Sequence, residues 1–190
     1  MRKSFLIALA FWGVTALATT SKIEVKGCST DQQKANRDRV LYMYDQLKNW
    51  RLDAMAKYIS SDFVFAATCV PADPWCTAQG LMGSTGVEAW KQTLQLYQLA
   101  ITPNDQYPDA FYSNTVKTLT CHGDDTILAD GYLRAQVRGL EKPYKTDLHA
   151  IWRFNRDEQG RVGPTFQGYW AFYEDSVLRP VWPLVFALAR

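Results

Sequence analysis

The stretch VLYMYDQLKNWRLDAMAKYISSDFVF, residues 40–65, decides how this chain folds. Val40, Tyr44 and Leu47 recur at helical spacing, and Leu41 widens the apolar stripe. Asn49-Trp50 interrupts the pattern, and a shorter stripe follows at Leu52, Met55, Ala56 and Ile59. Ser60-Ser61-Asp62 closes that stripe, and Phe63-Val64-Phe65-Ala66-Ala67 reads as a strand. Upstream, Ser29-Thr30-Asp31 with Gln32 and Gln33 is a helix start with capping-box character. Downstream, Thr85 with Glu88 predicts another capping box, ahead of a third stripe at Val87, Trp90, Leu94 and Tyr97.

After Pro103 and Pro108 the texture changes. Residues 111–120, 126–138, 144–155 and 161–173 read as long strands, separated by turn signals at 122–125, 139–143 and 155–160. The order is two helices, a strand, a loop, a helix and four antiparallel strands. Helices segregated onto one face of a sheet make an α+β domain. The expectation is a curved antiparallel sheet wrapped around the N-terminal helices, cone-shaped, with an apolar pocket suited to a small molecule.

The chain begins MRKSFLIALAFWGVTALATTS. Arg2 and Lys3 precede an apolar run from Phe5 to Leu17, too short to span a bilayer comfortably, and Ala16-Leu17-Ala18 is an A-x-A cleavage site. Residues 1–18 therefore read as a signal peptide and 19–190 as one domain, secreted or periplasmic. Removing Arg2 and Lys3 takes the 21 basic residues to 19, equal to the 19 acidic ones. A neutral domain without a basic block is a poor partner for nucleic acid. An aromatic share of 14% with seven Trp points to a large apolar interior.

All four cysteines follow the signal. An even count in an exported chain reads as disulfides. Cys69 and Cys76 flank a Pro-rich loop, CVPADPWC, that can bring them together, which leaves Cys28 for Cys121. Spacing other than C-x2-C, and only His122 and His149 as histidines, argue against zinc. No metal and no organic cofactor is expected.

The stretch at 40–65 resembles the opening of the nuclear transport factor 2-like (NTF2-like) superfamily, GSTGVEAWKQTL (83–94) resembles its third helix, and DLHAIWRFNRDEQGRV (147–162) with FQGYWAFYED (166–175) resembles its last hairpin. The resemblance covers about residues 35–175 and speaks to fold more than to activity. SnoaL-like cyclases, ketosteroid isomerases, scytalone dehydratase and limonene epoxide hydrolase are enzymes of that superfamily, and many other members only bind ligands or partners. The isomerases carry a hydrogen-bonding tyrosine on the first helix, and Tyr44 matches it. Their general base falls on Ala67 or Thr68 and their second acid near Ala150. The Asp-Arg-Asp relay of the epoxide hydrolases falls on Gly131, Leu133 and Gly168. None of these acid–base sets transfers. Dimers are common in the superfamily, and a sheet face with Tyr132, Tyr169 and Tyr173 is a surface for a homodimer.

Alternation along the strands separates two faces. One carries Ile127, Ala129, Leu133, Leu148, Ala150, Trp152 and Phe154. The other carries Asp130, Tyr132, Asp147, His149 and Arg153. On the last strand Phe166, Trp170 and Phe172 oppose Gln167, Tyr169 and Tyr173. If the greasy face is inside, Trp90, Leu133, Ala150, Trp152, Phe166 and Trp170 line the pocket. If register or a bulge turns the polar face inward, His149 with Asp147 or Asp130 is a base and Tyr44 a hydrogen-bond donor.

Three functions follow. The first is an exported cofactor-independent isomerase, cyclase or lyase acting on a polyketide-, steroid- or terpenoid-like substrate. The second is a non-catalytic binding or assembly module using the same cone. The third is a membrane-proximal protein docking through the apolar tail at 177–190, a tail that reads more simply as a lid or a dimer contact.

Overall fold

A computed structural model describes residues 22–67 and 84–172. The segment read as a signal peptide, the expected Cys69–Cys76 pair, Tyr173 of the expected dimer surface and the tail at 177–190 lie outside the described residues. The elements are β1 (Glu24–Lys26), α1 (Asp31–Lys48), α2 (Leu52–Ala56), β2 (Ile59–Ala67), β3 (Ser84–Thr85), α3 (Val87–Ile101), β4 (Phe111–His122), β5 (Thr126–Gln136), β6 (Tyr144–Arg156) and β7 (Val162–Phe172).

The strands form one curved, unclosed sheet in the order β1-β4-β5-β6-β7-β2-β3. The four long strands are antiparallel, as expected. The flanks make the sheet mixed, because β1 runs parallel to β4 and β2 parallel to β7. The helix α1 packs on β4 and β5, and α3 packs on β2 and β3. The greasy face of the sheet meets them.

Local chemistry accounts for the helix ends. The Thr30 hydroxyl accepts from the Gln33 backbone N–H, and the Gln33 side chain accepts from Thr30 N–H, so the capping box forms. The predicted box at Thr85 does not form. Thr85 pairs with Val64 in β3, and Gly86 (φ +87) leads into α3 with no side-chain cap. Ile59 to Asp62 also differ from expectation. They are already strand, since Ile59 pairs with Phe166 and the Phe166 N–H donates to Tyr58 O at 2.7 Å.

Two bulges set the faces of the sheet. In β4, Val116 pairs with Gly131 and Thr118 with Asp130, so Lys117 is an extra residue. In β7, Gly168 pairs with Arg153 and Phe166 with Phe154, so Gln167 is an extra residue. An inserted residue reverses the alternation beyond it. Past Gln167 it is therefore Tyr169 and Ala171 that are buried, while Phe172 is 52% exposed.

Aromatic rings fill much of the space between the sheet and the helices. Trp152 lies 4.8 Å from Phe166 and 4.3 Å from Tyr169, ring centre to ring centre, and Phe154 lies 4.4 Å from Phe166. Phe63 meets Trp90 edge-on at 6.2 Å. Each such buried ring stabilises the fold by about 1.5–3 kcal/mol relative to exposure. A Cys28–Cys121 disulfide, Cα–Cα 5.1 Å, fastens the entry of α1 to β4. Beside it the Asn36 amide donates to Asp124 O at 2.7 Å, and the Gln33 amide to Gly123 O at 3.1 Å.

Candidate functional site: an aromatic hollow at the wide end of the cone

The interior is less completely filled where α1 ends. A hollow of about 40 Å³ lies between Leu47 and Trp50 at the end of α1, Phe65 on β2, and Leu94 and Tyr97 on α3. Tyr112, Leu133 and Tyr169 form its sheet side. At about 10–15 Å³ per water, the hollow as it stands holds a few waters.

Trp50 shapes the mouth. It has φ +53, which an L-residue adopts only at a cost of order 1–3 kcal/mol. That conformation ends α1, starts α2 and turns the indole onto Tyr112, with ring centres 5.4 Å apart. Phe65 stacks on Tyr169 at 5.7 Å and 12°.

Tyrosine hydroxyls stand on this apolar wall, at Tyr112, and behind it, at Tyr44. Tyr44, one turn before Leu47, accepts the Trp152 indole N–H at 3.1 Å and is also bonded by the Tyr169 hydroxyl. Burial holds its phenol well above the usual range, so Tyr44 stays neutral at any physiological pH. Burial likewise pushes Tyr112 up to about 12 and raises Tyr144. The Asn114 amide donates to the Tyr112 hydroxyl at 3.4 Å. The Asn114 carbonyl oxygen is buried with no partner among the described residues.

The other sequence-predicted residues stand elsewhere. His149 and Asp130 do meet, Nδ1 to Oδ1 at 2.7 Å, but on the outer face, 67% and 49% exposed. Asp147 is exposed on that same face, opposite Tyr132. Tyr132 lies between the ammonium groups of Lys117 (5.1 Å) and Lys145 (4.6 Å). Of the candidate pocket residues, Leu133 lines the hollow, whereas Trp90, Ala150, Trp152 and Phe166 are buried in the packed core. Trp170 needs correction. The Gln167 bulge puts it on the outer face, where its ring covers Gly168 so closely that a Cβ there would lie 2.3 Å from the indole. The same bulge takes Tyr169 off the surface proposed for a dimer and into the interior. Among the described residues, no group of three His, Cys, Asp or Glu side chains could hold a metal ion.

Solved structures share this architecture. IdmH from Streptomyces antibioticus, a candidate polyketide cyclase, superposes with a TM-score of 0.53 at 17% identity, covering 77% of this chain and 97% of its own. An NTF2-like protein of unknown function from Burkholderia pseudomallei gives 0.57 at 11%, covering 80% and 97%. A protein of ketosteroid isomerase-like fold from Catenulispora acidiphila, in complex with trimethylamine, gives 0.54 at 13%, covering 74% and 89%. The chain has the NTF2-like fold. No family model and no curated protein matches the sequence. At these identities the likeness establishes the NTF2-like fold alone, and chemistry has to be argued from the side chains above.

The residues that sequence reasoning missed are Trp50, Phe65, Tyr112 and Tyr169. Trp50 was visible as the break between two helical stripes, and Tyr112 as the second residue of a strand whose faces the apolar pattern leaves unassigned. Tyr169 was hidden by the bulge.

Proposed function

We propose that this protein binds a hydrophobic small molecule, of polyketide-, steroid- or terpenoid-like character, in the hollow framed by Trp50, Phe65, Tyr112 and Tyr169. The observation that carries this reading is the separation of chemistries. The aromatic hollow is on the helix side of the sheet. The His149–Asp130 pair is on the other. That separation favours binding over acid–base turnover, because a general base must reach the proton it takes. Pockets for drug-sized ligands are about 300–1,000 Å³, so ligand entry requires the Trp50 side chain to swing out of the mouth.

The test is to purify the protein from an oxidising compartment, denature it and analyse the organic extract by mass spectrometry. Trp50→Ala is then compared with wild type for binding of any recovered compound. A recovered hydrophobic compound whose affinity changes at least fivefold in Trp50→Ala supports the reading. A compound that binds both proteins equally, or an empty extract with no response to hydrophobic probes, removes it.

The second reading, an isomerase-, cyclase- or dehydratase-type enzyme, draws on Tyr44. Its neutral phenol keeps one proton to donate while accepting from Trp152. Turnover lost in Tyr44→Phe with binding retained would establish it. The leader-like segment at 1–18 and the Cys28–Cys121 bridge support export to an oxidising compartment, checked by the mass of the mature N-terminus. We place a second copy on the outer sheet face around Tyr132 and His149, checked by sedimentation. The tail at 177–190 we assign to that contact or to a lid. Flotation of the protein with liposomes, lost on deleting the tail, would assign it to a membrane instead.

A further inference from the structure

Tyr112 and Asn114 share a face of β4, two residues apart, and both lie on the inner side of the sheet. Tyr112 lines the hollow; Asn114 stands just behind that lining, as the cross-strand neighbour of Leu133, which does line it. Between them they leave hydrogen-bonding capacity unused. The Tyr112 hydroxyl accepts from the Asn114 amide at 3.4 Å, which leaves its own proton uncommitted. The Asn114 carbonyl oxygen is buried without a partner among the described residues. Rotating the amide by half a turn exchanges the group left over, from a carbonyl oxygen to an NH₂, without removing it. A buried polar group normally has a partner, and one that finds none in the protein is completed by a water or by a bound group.

Building on the binding function proposed above, we infer that the ligand is hydroxylated: a flat apolar body fills the aromatic hollow and presents one hydroxyl to the Tyr112–Asn114 pair. A hydroxyl both donates and accepts, so it can take the Tyr112 proton and give its own to Asn114, and it also suits the rotated amide. A carboxylate is disfavoured, because no Lys, Arg or His lines the hollow to compensate its charge. A fully apolar body would leave the pair unpaired. Tyr112 and Asn114 are thus specificity determinants of the site.

Phenol and toluene test this directly. They are nearly equal in volume and differ by a hydroxyl in place of a methyl. An apolar pocket without a polar partner prefers toluene, since burying an unpaired hydroxyl is costly. Titrations of full-length mature protein, followed by ligand-observed NMR, should show phenol binding about 3- to 10-fold more tightly, the range one net hydrogen bond supplies. In Asn114→Leu the order should reverse. Tyr112→Phe, the gentler change, should at least abolish the preference, which covers the case of a leucine variant that does not fold. Toluene binding as well as or better than phenol to wild type overturns the inference and leaves the pocket standing, with a buried water satisfying the pair. Binding of neither compound removes the pocket reading itself.

Discussion

Tyr44 on α1 accepts the indole N–H of Trp152 on β6 at 3.1 Å, and the two rings meet edge-on at 5.7 Å. This contact ties α1, the helix that leads into Trp50, to the strand at the centre of the sheet. It also gives both polar atoms a partner where water is excluded. Tyr44→Phe strands the Trp152 donor, so the fold should lose about 1–3 kcal/mol in urea unfolding. Trp152→Phe should cost a similar amount or more through lost packing. The double variant should cost less than the two single changes together, because they share one interaction.

The bridge between Cys28 and Cys121 spans a sequence separation of 93 residues. A loop of that length corresponds to about 4–5 kcal/mol of loop-closure entropy taken from the unfolded chain. Cys28→Ser with Cys121→Ser should therefore lower the thermal midpoint by about 8–20 degrees in differential scanning calorimetry, with the other cysteines retained. A midpoint unchanged within two degrees would mean that the unfolded chain is already compact around this pair.

Gly131 lies on β5 beside the Lys117 bulge of β4. A Cβ at this position would fall 1.9 Å from the Thr115 carbonyl oxygen, a backbone atom that cannot turn aside. Gly131→Ala should destabilise the protein by about 3 kcal/mol or more, or prevent its accumulation. Gly168→Ala makes an instructive contrast. There the obstacle is the Trp170 ring, a side chain on the outer face that can swing away. This variant should fold, with an altered near-ultraviolet signal from the displaced indole.

Asp125 supplies a pH dependence. Partial burial raises its carboxyl, but hydrogen bonds from Arg156 (2.8 Å) and Thr126 (3.1 Å) outweigh burial and hold it below the ordinary 3.8. A carboxyl lowered in the folded state contributes stability that is present above its unfolded value and lost as the pH falls through its folded value. Urea unfolding between pH 2 and 6 should show stability falling below about pH 4 in wild type, and falling less steeply in Asp125→Asn. Identical slopes would mean that the fold gains nothing from this ionised carboxylate.

His149→Ala should change little. The pair with Asp130 is exposed, and exposed ion pairs contribute little to stability. Ligand binding in the hollow should be unaffected, since the side chain points away from it. A large loss of binding or turnover in this variant would move the functional site to the outer face.

The sheet and its helices were legible because apolar periodicity is strong where burial is one-sided. The strands around Leu133, Leu148 and Trp152 put their greasy faces on the core, and Thr30 caps α1 as its neighbours imply. The errors sit where alternation breaks. In FQGYWAF only Gly168 hints at a bulge and nothing marks Gln167 as the inserted residue, so every assignment beyond it is displaced by one, which exchanges Trp170 with Tyr169. The short strands β1 and β3 escaped notice because three and two residues carry no periodicity. His149 and Asp130 do meet, because they are cross-strand partners on β5 and β6, but pairing in register does not tell which side of a sheet is wet.

The Cys28–Cys121 staple also dictates an order of events. A chain made from its N-terminus exposes Cys28 first, then Cys69 and Cys76, and only afterwards the native partner of Cys28. Until Cys121 emerges, an oxidant meets a thiol whose available partners are both wrong. Correct maturation therefore needs oxidation slower than synthesis, or a catalyst that reshuffles early mispairings. The yield of native protein should rise with disulfide-isomerase activity in the producing cell, and the first trapped species should be those in which Cys28 has paired too soon.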